Sequence, residues 1–163
     1  MSILLDQQLD PYVPFPEPRV SALLCWPVEW IERHRILDPI PGLHCTMLYF
    51  PDVVEAGISK DAILKTLRSI EDREPLGYSL TKVKWVSAFG PEKNVPVLEL
   101  DLDHHWEHHN SLEALKVARL EPDDTWAFKP HVTVPLEVAL TPPKKVLLRP
   151  LELWYREDAP VVV

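Results

Sequence analysis

The chain has 163 residues, 46% of them apolar, and a formal net charge of −8. That is one ordinary domain's length with enough apolar material for a core, and no apolar run approaches the ~20 residues a bilayer span needs. The acidic balance argues against a grip on long nucleic acid, which relies on neutralising many phosphates, and leaves a ligand with one to three phosphates as the compatible partner. The first ten residues carry no basic residue, so no secretory signal is expected. Cys25 and Cys45 form no disulfide framework and read as reduced thiols of a cytoplasmic protein.

Prolines at 11, 14, 16 and 18 make residues 1–18 an extended arm rather than a helix. Residues 19–25 read as a short strand. Residues 26–35 are ambiguous, since VEWIERH also fits one or two helical turns. Residues 42–50, GLHCTMLYF, read as a strand between Pro41 and Pro51. Residues 59–70 read as a helix capped by Ser59, with Ile63, Leu64, Leu67 and Ile70 on one face. Residues 78–89 and 95–102 form a hairpin around Gly90–Asn94, the second strand alternating Leu98, Leu100, Leu102 against Val97, Glu99, Asp101. Asn110 caps a helix over 111–120, with Glu113 at the box position. Residues 127–136 and 146–155 are the last two strands, and 159–163 give no reading. The order is α+β without a linker that would divide it, so residues 1–163 read as a single domain, with one motif-bearing strand in each half.

Those motifs are His44-Cys45-Thr46-Met47 and His131-Val132-Thr133-Val134. Alternate residues of a strand face opposite ways. His44 and Thr46 therefore share one side, His131 and Thr133 likewise, and the apolar members turn to a core. One His-x-Thr alone is most simply the polar face of a half-buried strand; two matched copies are much harder to produce by shuffling. Phosphodiester cleavage needs one group to take a proton and another to give one, and histidine titrates near neutrality. Threonine hydroxyls can donate to the non-bridging oxygens. Lys129, two residues before His131, joins that face if its strand is regular.

GLHCTMLYF, the hairpin SAFGP…VPVLELDL and FKPHVTVPL together resemble the 2H phosphoesterase superfamily, which includes 2′-5′ RNA ligase-like proteins and 2′,3′-cyclic phosphodiesterases. The resemblance spans residues 42–136. It implies a two-lobed α+β fold, with mostly antiparallel sheets flanking a central cleft and helices outside. It implies a phosphodiesterase needing no metal or other cofactor, with His44 and His131 as general acid and base and Thr46 and Thr133 as phosphate ligands. Which histidine plays which part stays open. Within the superfamily the chain looks most like phage anti-CBASS nucleases, which degrade cyclic di- and trinucleotide signals; for a phage protein the compartment would be the host cytoplasm. That likeness makes Tyr12 on the arm and Trp85 on the hairpin base-stacking candidates, although Trp85 fits core packing equally well. Glu152 and Glu157 are both in position to read a base edge, with no ground for choosing. The alternatives are an RNA-processing 2′,3′-cyclic phosphodiesterase or ligase-like enzyme, a cyclic-nucleotide sponge without turnover, and a partner-binding protein. No membrane partner is expected.

His104-His105-Trp106-Glu107-His108-His109 is the rival constellation. Its i, i+4 histidine pairs have zinc-chelating spacing on a helix, but it lacks the HExxH order. It reads instead as an exposed connection ahead of the Asn110 cap.

Overall fold

The computed structural model describes residues 19–32, 42–70, 77–125 and 127–163. Tyr12 and the rest of the 1–18 arm, with residues 33–35 of the ambiguous stretch, lie outside them. The chain is α+β and mostly antiparallel: β1 (Ala22–Ile31), β2 (His44–Phe50), α1 (Lys60–Arg68), β3 (Ser79–Phe89), β4 (Val95–Leu100), α2 (His105–Val117), β5 (His131–Thr133), α3 (Leu136–Leu140), β6 (Lys145–Leu148), β7 (Glu152–Tyr155) and β8 (Val161–Val162). No helix among the described residues is long and apolar enough to cross a membrane.

The strands follow the order β2-β5-β4-β3-β6-β1-β7-β8, and a further β1–β2 pairing closes six of them into a ring. Two long strands make this possible by changing partners. Over Ala22–Cys25, β1 pairs with both β2 and β7; beyond Pro27 it pairs with β6. The ambiguous residues 26–31 are therefore strand, not helical turns. Strand β3 pairs with β6 over Ser79–Lys82 and with β4 from Val83 onward. The changeover is a bulge: Val83 faces Leu100 and Trp85 faces Glu99, leaving Lys84 as the extra residue. The single strand expected over 146–155 is interrupted at Arg149–Leu151, where Pro150 has no N–H for a ladder and the Arg149 N–H donates to Pro27 O at 2.7 Å.

Prolines also trim β5 to three residues. Pro130 precedes it, its carbonyl taken by the Leu100 N–H at 3.0 Å, and Pro135 opens α3, which sequence reading missed. Ser59 caps α1 as expected, its hydroxyl accepting from the Ala62 N–H at 3.1 Å. Ile63, Leu64 and Leu67 are its buried face. The second helix begins at His105, well ahead of the expected 111, and Asn110 lies inside it. Histidines supply the inward face of its first turns. His104 stacks on Trp26 at 5.3 Å, and His108 lies parallel to Phe128 at 4.6 Å. Ser111 and Leu115 carry the same face onward, both buried.

The core lies on one side of the sheet. It joins Leu24, Trp26, Cys45, Met47, Leu98 and Val132 to Ile63, Leu67, Leu115 and Val138 of the three helices. The alternation seen in the two motifs is realised here: Cys45 and Val132 are fully buried, while His44, Thr46, His131 and Thr133 retain access to the other side.

Candidate functional site

Strands β2 and β5 are neighbours, joined through Cys45 and Val132 as antiparallel partners. One step on either side brings Thr46 toward His131 and His44 toward Thr133, on the face away from the core. The four residues singled out in the sequence are thus brought together on adjacent strands.

The two histidines have closely matched surroundings. His44 Nδ1 lies 2.6 Å from Gly42 O, and His131 Nδ1 lies 2.7 Å from Lys129 O. A carbonyl only accepts, so each Nδ1 carries a proton, and each Nε2 is the nitrogen left to take or give one. Gly42 holds φ at 78°, a left-handed conformation that glycine adopts without steric penalty. Each imidazole also leans on an aromatic ring. His44 meets Trp154 at 4.8 Å and 59°, and His131 meets Phe89 at 4.6 Å and 58°. Neither Thr46 nor Thr133 spends its hydroxyl on a hydrogen bond among the described residues.

Two buried carboxylates flank the pair. Glu99 is the cross-strand partner of His131. It accepts from Trp85 Nε1 at 2.7 Å and from the Ser87 hydroxyl, and Lys129 Nζ sits 3.7 Å away. Glu152 lies in the row that runs through Cys25 to Thr46. It accepts from Arg149 at 2.5 Å and from Trp154 Nε1 at 2.9 Å. His131 therefore stands beside Glu99, while His44 reaches Glu152 only through the Trp154 ring it leans on, and each glutamate holds one indole N–H and one basic side chain. Only 6% of Glu99 and 4% of Glu152 are exposed. Burial works against ionisation of Glu99, but Ser87, Trp85 and Lys129 outweigh it and hold its pKa below the usual carboxylate value. The hydrogen bond to Glu152 raises the pKa of Arg149.

Sequence reasoning missed Glu99, Ser87, Phe89, Arg149 and Trp154, and left Glu152 undecided against Glu157, which is exposed. The signal for Glu99 was present: it interrupts VPVLEL, whose last four residues are all buried. Both faces of β4 are covered, one by core and one by the site. Lys129 precedes a strand that starts only at His131, yet its ammonium reaches Glu99 and lies 5.1 Å over the Phe89 ring. Trp85 is 58% exposed, so it is not a core residue; its edge is anchored and its ring is open.

Burial lowers the His44 pKa, and the nearby charge of His131 adds to this, against the Gly42 carbonyl. His44 is neutral at pH 7 and remains so somewhat below the ordinary histidine value. If it acts as the base, the acidic limb of a kcat/KM profile lies below about pH 6.5, because activity is lost only when His44 takes its proton. A limb well above that value in a pH-rate titration would remove His44 from that part. The buried thiols are not nucleophiles: burial raises Cys25 well above its ordinary value and pushes Cys45 up to about 12.

Histidines 104–109 contribute nothing to this face. Among the described residues no group of three or more His, Cys, Asp or Glu is arranged to hold a metal ion. No family model, curated protein or solved structure matches the chain.

Proposed function

We propose that the chain is a phosphodiesterase of the 2H type, acting on small nucleotide phosphodiesters without a metal. The observation that carries this is the matched pair of histidines, each with Nδ1 tied to a carbonyl two residues back and an aromatic ring behind it. A fold that used these rings only as polar surface would have no reason to prepare both alike. The strand order fits a two-lobed reading in which β2, β1 and β7 lie on one side of the β2–β5 seam and β5, β4 and β3 on the other, with β6 pairing to both β1 and β3.

In this mechanism His44, held neutral by burial, takes a proton from the attacking water at Nε2. The water oxygen bonds to phosphorus and the bond to the leaving oxygen breaks. His131 delivers its Nε2 proton to that oxygen. Thr46 and Thr133 donate to the non-bridging oxygens as their charge shifts. Solvent exchange then resets the two rings. Lys129 and Arg149 add positive charge at the rim, each fixed by its glutamate.

Cyclic di- and trinucleotides and 2′,3′-cyclic nucleotides are the substrates to screen, with the chelator EDTA present and the ligand recovered afterwards by chromatography. Cleaved products are expected. Tight binding with intact ligand recovered would make the protein a sponge, and restoration of activity only by zinc would overturn the metal-free mechanism.

A further inference from the structure

Beside Trp85 the surface forms an open groove of about 430 Å³, lined by Lys82, Lys84, Trp85, Pro143, Lys144 and Lys145 among others. No acidic residue lines it. Among the described residues none of the four ammoniums pairs with a carboxylate, although Asp and Glu outnumber Lys and Arg by 25 to 17 across the chain. In contrast, Lys60, Lys116 and Lys129 each find an acid.

The arrangement is unfavourable for a bare protein. Lys82 and Lys145 are direct cross-strand partners, and like charges placed so destabilise a sheet. Lys84 is the bulged residue of β3, re-aimed so that its ammonium lies 5.8 Å over the Trp85 ring. The facing wall is held in place: the Lys144 carbonyl accepts from the Val83 N–H at 2.8 Å, and the Lys144 N–H donates to Glu32 at 3.1 Å. Four unpaired cations on a fixed frame, with an open aromatic ring among them, match a ligand that alternates phosphates with flat bases.

The groove is continuous with the histidine site through one residue. Trp85 lines the groove with its ring and donates its indole N–H to Glu99, the partner of His131. Trp85, Glu99 and His131 lie on three successive strands, so the Trp85 backbone stands two strand spacings, about 10 Å, from that of His131. That is within reach of the nucleotide next to one held at the histidines.

We infer that this groove binds the phosphates of a linear single-stranded oligonucleotide, with Trp85 stacking on a base, so that a strand held at the histidines continues across the Lys82 and Lys145 surface. This rests on the phosphodiesterase reading and deepens it. The acidic surface elsewhere limits the footprint to the few nucleotides that the groove and the histidine face together cover.

The test is fluorescence anisotropy with a labelled 2′-O-methyl hexanucleotide and the matching dinucleotide, which report binding without any turnover. The full chain should bind the hexanucleotide more tightly, with a salt dependence set by roughly 0.7 counterions per contacted phosphate. Lys82→Glu with Lys145→Glu should weaken hexanucleotide binding by about tenfold or more and flatten that slope. Lys60→Glu with Lys116→Glu makes the same change in net charge at lysines outside the groove and should have little effect. Trp85→Ala should weaken binding with the slope retained. Equal losses in the two lysine pairs, or no preference for the longer probe, would overturn the inference. Because the probe is not cut, groove binding without turnover of any nucleotide would instead count against the phosphodiesterase reading.

Discussion

On the proposed phosphodiesterase reading, replacing His44 with alanine is expected to lower phosphodiester turnover by about 10²–10⁴-fold, the usual contribution of a positioned general acid or base, and replacing His131 is expected to do the same. The double variant is expected to be little worse than either single, because on that reading the two rings serve the same transition state and the loss of one already disables the concerted transfer. Both rings lie on the open face of the sheet, with Cys45 and Val132 filling the core side. Alanine at either place therefore leaves no core cavity. Steady-state kinetics and thermal melts on the same preparations separate chemistry from folding. Single variants with near-normal turnover, or a double variant whose loss is the product of the two, would show that the histidines do not act as a pair.

Trp26→Ala is expected to cost about 3–5 kcal/mol of stability, the range for truncating a large buried aromatic side chain. Only 1% of Trp26 is exposed, and it lies in the shared core directly across from Cys45, between the two site residues of β2. For a chain of this length the Tm falls by roughly 2–4 °C per kcal/mol, so a drop of about 6–20 °C follows. His104 stacks on Trp26, and a double-mutant cycle with His104→Ala should return a coupling of about 0.5–3 kcal/mol. A cycle with no coupling would mean that the contact contributes nothing, and a Tm within a few degrees of wild type would mean that Trp26 is not the packed centre described here.

That contact also shows where sequence reading ran short. In a linear chain, HHWEHH offers chelation or a polar connector. Its use as the packing face of a helix depends on Trp26 and Phe128, which are far away in sequence. The reading of α1 succeeded because everything it needed was local: an N-cap hydroxyl, helical spacing and an apolar face. The sides taken by His44, Thr46, His131 and Thr133 were legible for a similar reason, since alternation along a strand is local. Their meeting was implied only by the family resemblance, because no local pattern gives the β2–β5 register that produces it. Glu99 and Glu152 illustrate the same limit. Each matters through a neighbour on another strand or around a turn, and neither has a motif. The break between β6 and β7 was visible as Pro150, but its consequence, an Arg149 turned toward Glu152, required the fold.

The most direct test of the central claim is a single chromatographic assay of a cyclic dinucleotide and a 2′,3′-cyclic mononucleotide incubated with the protein in EDTA, beside the His44→Ala/His131→Ala variant. The wild-type chain should open at least one of the two rings to a phosphomonoester while the variant leaves both closed. Both rings intact after incubation with the wild type, or equal opening by both proteins, would contradict the account.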